Sequence, residues 1–342
     1  MSIDIFDTRT MLPALEKMHK PKTFLLRTFF PNSDTADGKE VDIDIYKGKR
    51  KLAPFVRPTD EGKKIDNTGF TTNKFAPPYV KPKKETTAAE LLKRSPGEIL
   101  YSGGKTPQQR AQEKLGKDML ELTDMIIRRK EWMAAQALNA GKISVVGEGI
   151  NAEIDFLRAA DHTVTLTGDD LFTSANSQPL EILRQKKRKI GKDSGLTARA
   201  AVFGESVIDA FLKQANVKDQ LSTRRIDLGL VKPDELEDGV TYWGYIEGLD
   251  IYTYEEYYLD DSEVLQPMVP VDKIFLGATN ARASQLHGAI QDIEAIEQGL
   301  ISVPYFPKSW VTKDPSVRWL MVQSAPLVCP HDTDAFMSIK AV

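Results

Sequence analysis

The sequence predicts an α+β fold, and three observations carry that prediction. One long helical signal dominates the first half, and short strand-like runs surround it. In the second half helices and strands follow one another without the regular strand–helix–strand rhythm of a doubly wound sheet. No internal repeat is visible.

Length and composition set the bounds. At 342 residues and 41% apolar content the chain can bury one large core or two medium ones. A formal net charge of −3, from 46 basic and 49 acidic residues, gives no global field toward DNA or an anionic membrane. Any nucleic-acid contact is therefore expected to be local. The single cysteine, Cys329, excludes an intrachain disulfide framework and a multi-cysteine zinc site, which fits folding in a reducing compartment. The first 20 residues carry acids where a secretory signal carries basic residues, and no run approaches the roughly 18 apolar residues of a membrane span. The expectation is a soluble chain with no membrane partner.

Taken in order, Met11, Ala14, Leu15 and Met18 fall at helical spacing and predict a short amphipathic helix over residues 10–20, with Pro13 tolerated in its first turn. KTFLLRTFF (22–30) is an apolar burst that something must cover, and PNSDTADG marks a turn. VDIDIYKG then alternates Val41, Ile43 and Ile45 with Asp42 and Asp44, a strand pattern. Residues 47–85 are rich in lysine and interrupted by Pro54, Pro58, Pro77, Pro78 and Pro82. Too few apolar groups stand there to offset the entropy of ordering so long a segment, so it is expected to be ordered by another molecule or not at all.

The long helix is expected over 106–139. Thr106 is its cap, Pro107 its first residue, and Gly141 its left-handed stop. Leu115, Met119, Leu122, Ile126 and Met133 keep the helical period, with Glu113, Lys117, Glu121 and Arg128 on the other side. KISVVGEGINAEIDF reads as two strands about a glycine turn. SQPLEILRQKKRKIG and GESVIDAFLKQAN read as helices, and ARAAVF, TYWGYIEGLDIYTY and DKIFLG as strands.

Candidate chemistry is sparse. SGGKTP (102–107) imitates the end of a phosphate loop, but Ile99 stands where the motif needs its first glycine, so helix capping is the better reading. Gly147, Gly149 and Ala152 match a dinucleotide motif, yet the residues that follow alternate like a strand instead of opening a helix. His331, Asp332 and Asp334 read as a turn more readily than a metal site. No catalytic group, cofactor site or metal site is predicted. The basic run Arg184, Lys186, Lys187, Arg188, Lys189 and Lys192 reads first as a solvated helix end and second as a contact for a polyanion or an acidic neighbour. Glu255, Glu256, Asp260 and Asp261, interleaved with Tyr252, Tyr254, Tyr257 and Tyr258, suit either a partner surface or an amphipathic strand.

Five stretches carry a resemblance: YFPKSWVTKDPSVRWLMVQSAPLV (305–328), FAPPYVKPKKE (75–85), GKISVVGEGINAEIDF (141–156), KIFLGATNARASQLHGAIQD (273–292) and LSTRRIDL (221–228). In order and spacing they resemble the major head proteins of lambda-like bacteriophages, the phage capsid protein E family, over nearly the whole chain. The resemblance implies the Hong Kong 97 type capsid fold. It also implies an N-terminal arm at 1–30, an extended loop with flanking strands at 31–85, and a peripheral domain at 86–164 with the spine helix at 106–139. An axial domain follows at 165–300, and C-terminal strands at 301–342 return to the peripheral domain.

The implied function is that of a major capsid protein, assembled in the bacterial cytoplasm into hexamers and pentamers of an icosahedral virion head around double-stranded DNA. Implied partners are other copies of the chain, a scaffolding protein, a portal protein, a decoration protein, and packaged DNA by proximity alone. Such a reading gives the proline-broken loop a use: laid across a neighbour's spine helix, it needs no core of its own. At segment level it nominates Lys63, Lys64, Phe75, Tyr79, Lys81, Arg128, Arg129, Arg224, Arg225, Glu255 and Glu256 as intersubunit contacts. The rivals are a cellular nanocompartment shell of the same fold, a nucleotide-dependent enzyme on the glycine motifs, and a nucleic-acid binder on the 184–192 run.

Overall fold

The computed structural model describes residues 6–17, 22–36, 38, 40–46, 61, 70–93, 106–147, 149–218, 234–236, 239–260 and 262–342. Lys63, Lys64, Arg224, Arg225, Asp261, the LSTRRIDL stretch and the 102–105 glycine run lie outside these residues.

Helix α1 spans Thr8–Lys17 and buries Met11. It starts two residues earlier than its apolar spacing suggested, because the Asp7 carboxylate accepts from the Arg9 amide (3.0 Å) and opens the first turn. Pro13 consequently lies inside the helix, where its ring removes the amide that would reach the Arg9 carbonyl. The apolar burst becomes helix α2 (Phe24–Phe29), with Phe24, Leu25, Leu26 and Phe29 all buried. Strands β1 (Asn32–Thr35), β2 (Val41–Tyr46), β3 (Phe70–Phe75) and β4 (Lys83–Thr87) follow, β2 and β3 pairing antiparallel. Helix α3 (Ala88–Leu92) is capped by Thr87.

Helix α4 runs Pro107–Ala140. Thr106 and Gln109 form a reciprocal capping box, with bonds of 3.2 and 2.9 Å, and Gly141 ends the helix at φ +70°. The glycine motif is the turn of a hairpin, β5 (Lys142–Gly147) against β6 (Ile150–Asp155), so it opens no helix. Then come β7 (Thr163–Thr165), α5 (Pro179–Ser194), β8 (Ala200–Phe203), α6 (Glu205–Lys213), β9 (Asp234–Leu236), β10 (Val240–Ile246) and β11 (Leu249–Tyr254). The chain closes with β12 (Tyr257–Leu259), β13 (Leu265–Pro267), β14 (Lys273–Gly277), β15 (Ala283–His287), a short helix Ile293–Gln298, β16 (Phe306–Thr312), β17 (Val317–Gln323), β18 (Pro326–Pro330) and β19 (Phe336–Lys340).

A seven-stranded sheet, in the order β7-β19-β14-β8-β11-β10-β9, organises the second half of the chain. Alternation along its strands feeds two cores. Ala201, Phe203, Ile251, Ile274, Met337 and Ile339 pack against α5 and α6, while Val202, Tyr254, Phe275 and Phe336 pack against α2 and the end of α4. A three-stranded sheet, β16-β17-β4, lays Leu320 and Val322 on Met119, Leu122 and Ile126 of α4, with Met11 of α1 at the same seam. A third sheet joins β1, β15 and β18. The C-terminal strands thus divide. β16 and β17 lie with β4 in the sheet on α4, and β18 pairs with β15, whereas β19 sits inside the seven-stranded sheet, where each of its faces has a core to fill.

Candidate assembly interface

Helix α4 positions an accessible apolar surface. Around Met125, Arg128, Arg129 and Trp132 it forms a groove of about 510 Å³ with Tyr257, Tyr258, Leu259, Asp260 and Leu265 of the β12–β13 hairpin. Met125 is 54%, Leu259 65% and Leu265 60% exposed, an unusual density of apolar area for a solvated face. The Arg129 guanidinium lies 5.1 Å from the centre of the Trp132 ring, and Trp132 meets Tyr258 edge-on at 6.5 Å. The groove therefore presents an apolar floor, ordered aromatic walls and two cations.

The other nominated residues divide between surface and interior. Lys81 is exposed, its ammonium 4.7 Å from the Tyr79 ring. Tyr79 itself is tied inward, donating to Gln323 Oε1 (2.9 Å) and accepting from the Gln291 amide (3.1 Å). Burial pushes its phenol up. Phe75 packs on Phe156 at 6.2 Å against the larger core. Glu255 is exposed, and Glu256 pairs with Lys22 at 3.8 Å. The acid–tyrosine alternation is half core: Tyr252 and Tyr254 meet Phe24 in tilted ring contacts at 5.2 and 5.5 Å, and Asp260 accepts the Ser262 and Val264 amides as a turn residue. Tyr257 stays exposed.

The basic run is an internal clamp more than a solvated end. Arg184 grips Glu247 with two bonds of 3.0 Å, and Lys187 Nζ donates to the Glu247 and Gly248 carbonyls at 2.9 and 2.8 Å. Together they fasten α5 to the β10–β11 turn. Glu247 raises the Arg184 guanidinium, whereas burial lowers the Lys187 ammonium. Lys189 pairs with Asp161 and Asp193, and both carboxyls are held low, Asp161 first by Lys189 and Asp193 first by His162. Asp161, His162 and Asp193 bring three potential ligand atoms within 4.8 Å of one another. The Lys189 ammonium already pairs with both carboxylates, so the cation position there belongs to the protein. At the C-terminal turn, Asp332 binds Arg282 (2.6 and 3.1 Å), Asp334 accepts the Ala159 amide (3.0 Å), and His331 faces Ser284 (2.8 Å). Each side chain of that trio is engaged with a partner from elsewhere in the chain.

Sequence reasoning missed the buried charges of α4. Lys130 is 6% exposed and approaches His287 Nε2 at 3.2 Å, and burial pushes that imidazole down to about 3. Glu131 is fully buried. Both sit four residues after an apolar position, Ile126 and Ile127, so charges inside the apolar stripe were the available signal. Arg158 was missed as well: it donates to the Leu138 and Asn139 carbonyls (2.6 and 2.7 Å) and to Thr163 Oγ1 (2.6 Å). Burial pulls its guanidinium down to about 10. A Cβ on Gly141 would come within 2.7 Å of Arg158, a second reason for glycine there.

The profile described as phage major capsid protein E matches residues 7–341. Among curated proteins, the major capsid protein of Escherichia phage lambda is 28% identical over 342 residues, covering 99% of each chain. That of Escherichia phage N15 is equally similar, at 28% over 342 residues and 99% of each. Among solved structures, a capsid protein assigned to a prophage of E. coli CFT073 superposes with a TM-score of 0.75 at 20% identity, covering 98% of this chain and 99% of that one. The capsid of Ralstonia phage GP4 gives 0.54 at 13% identity, covering 94% and 91%. These likenesses place the fold in the Hong Kong 97 type.

Proposed function

The chain belongs to the phage major capsid protein E family, and on that premise we propose how its copies meet in a shell. It is a major capsid protein, a structural subunit of the virion whose copies self-associate into the phage head. The observation that carries this reading is the family match from residue 7 to 341.

In the proposed arrangement residues 1–30 are the arm, 31–85 the extended loop, 86–164 the peripheral domain around α4, and 165–300 the axial domain. The loop of one copy lies across the next copy's α4, whose groove at Met125, Arg128, Arg129 and Trp132 offers apolar area to cover. Residues 47–69 hold seven basic and three acidic side chains, so their lysines, Lys63 and Lys64 among them, seek carboxylates such as Glu255 and Glu256. Lys81, Arg224 and Arg225 complete the proposed contacts, while the inward ties of Phe75 and Tyr79 give those two the task of anchoring the loop's base. Hexamers and pentamers, a scaffolding protein, a portal, a decoration protein and non-specifically enclosed double-stranded DNA belong to the same proposal. Near-neutral net charge suits a shell that encloses DNA without gripping it. No catalytic step is part of the role.

Negative-stain electron microscopy with sedimentation tests it, on the chain expressed alone and with its candidate scaffold. Closed shells, or six- and five-membered rings, are expected. A monodisperse monomer or dimer under both conditions overturns the reading.

A further inference from the structure

A buried carboxylate holds the arm to the body of the subunit. Glu131 projects from the C-terminal half of α4, is 0% exposed, and accepts the Leu25 amide on Oε1 (2.7 Å) and the Leu26 amide on Oε2 (3.1 Å). Those amides belong to the first turn of α2, where a helix has no internal acceptors to offer. Thr23, at the cap position, makes no side-chain bond to them. A side chain 106 positions away therefore does what a neighbouring serine or aspartate does at most helix starts.

Around Glu131, burial without a paired cation and the nearby Glu256 favour a proton, while the two amides and Tyr254 favour the charge. Its neighbours Leu25, Leu26, Ala134 and Ala135 belong to the larger core. Tyr254 faces it from β11, and its phenol is pushed up by burial and by the Glu131 charge. Glu256, just beyond β11, adds like charge, and the Lys22 ammonium there pairs with Glu256. Lys130, next along the helix, turns to His287 of β15. Among the described ion pairs none includes Glu131. Burial accordingly pushes its carboxyl up to about 7, against the opposing pull of the two amides and Tyr254.

We infer that Glu131 is a proton-operated clasp, holding the first turn of α2 more firmly when it carries a proton than when it is ionised. With the turn seated, the carboxyl is shut away from water and ionisation is costly. With the turn lifted, water reaches the carboxyl and its ordinary acidity returns. The seated form takes up a proton between the ordinary value of 4.5 and about 7, so its advantage falls as pH rises through that window and is level above it. The five apolar residues of the α2 region, Phe24 to Phe30, keep the rest of the segment in place, which confines the effect to the joint between α1 and the body.

Amide hydrogen exchange on the full chain reads this directly, as protection factors corrected for the intrinsic rate. Protection at Leu25 and Leu26 is expected to fall on the order of fiftyfold from about pH 5 to about pH 8, while core amides of α5 stay level. Glu131→Gln, which holds one acceptor oxygen but cannot ionise, removes the slope. Should that variant fail to fold, infrared spectra of the unaltered protein decide: a buried protonated carboxyl at about pH 6 that is gone by about pH 8 supports the clasp. Protection at Leu25 and Leu26 that is flat or rises with pH, an unchanged slope in Glu131→Gln, or no protonated carboxyl at the lower pH overturns it. None of these outcomes depends on whether shells form.

Discussion

Between residues 107 and 121 of α4 only Asp118 and Met119 are buried; between 130 and 140 no residue is exposed. The first stretch meets the molecule through charges. Lys114 joins Glu90 (3.1 Å) and Asp118 (3.6 Å), and Lys84 of β4 joins Asp118 and Glu121. The second stretch is small-residue helix, with Ala134, Ala135 and Ala137 letting α2 and the seven-stranded sheet approach closely. One element thus serves two environments, and the groove at Met125 to Trp132 lies where they meet. The difference teaches that the helix is a foundation at one end and a surface at the other, and that exposed Met125 and Arg129 alternate with buried Leu122, Thr123, Ile126 and Ile127 at the transition.

Substitutions at the two ends sharpen that contrast. Leu138→Ala, at a side chain 2% exposed in the larger core, is expected to lower subunit stability by about 2–5 kcal/mol in a denaturant titration. A smaller loss means that the C-terminal end is less firmly built in than its burial implies. Thr106→Ala removes the cap at the exposed end and is expected to cost about 1 kcal/mol, read as a modest fall in melting temperature. Met125→Ala is expected to change subunit stability by less than about 0.5 kcal/mol yet to lower the yield of shells in sedimentation. Equal shell yields from Met125→Ala and the unaltered chain mean that the groove is not where copies meet.

Much of α4 was legible because its ends are written in local chemistry: a threonine with proline behind it, a glycine after the last turn. The β5–β6 hairpin, α5 and α6 were legible for the same reason, since their periodicity is contained within each segment. The seven-stranded sheet was not. Its strand β19 pairs parallel with β7 and antiparallel with β14, joining positions such as Ser338 and Thr163 that lie far apart in the chain, and no local pattern encodes such partners. The basic run misled for a related reason: the clamp of Arg184 and Lys187 depends on where the β10–β11 turn arrives, which composition does not state. Of the candidate interface, Arg128 was legible as an outward cation and Arg129 was nominated only through the resemblance, but Leu259 and Leu265 were not legible, because the hairpin that carries them had no strong strand signal.

The Arg158 guanidinium touches three things at once: the last carbonyls of α4, the start of β7, and the space beside Gly141. Mechanically it is a weld. At 34 residues, α4 is a rod of about 50 Å, and a rod held loosely at one end merely swings when its far end is pushed. Held by a side chain that also grips the seven-stranded sheet, it is a lever with a fixed fulcrum. A sideways load on the exposed end of α4 is delivered as torque to β7 and, through β7, to the strand that ends the chain.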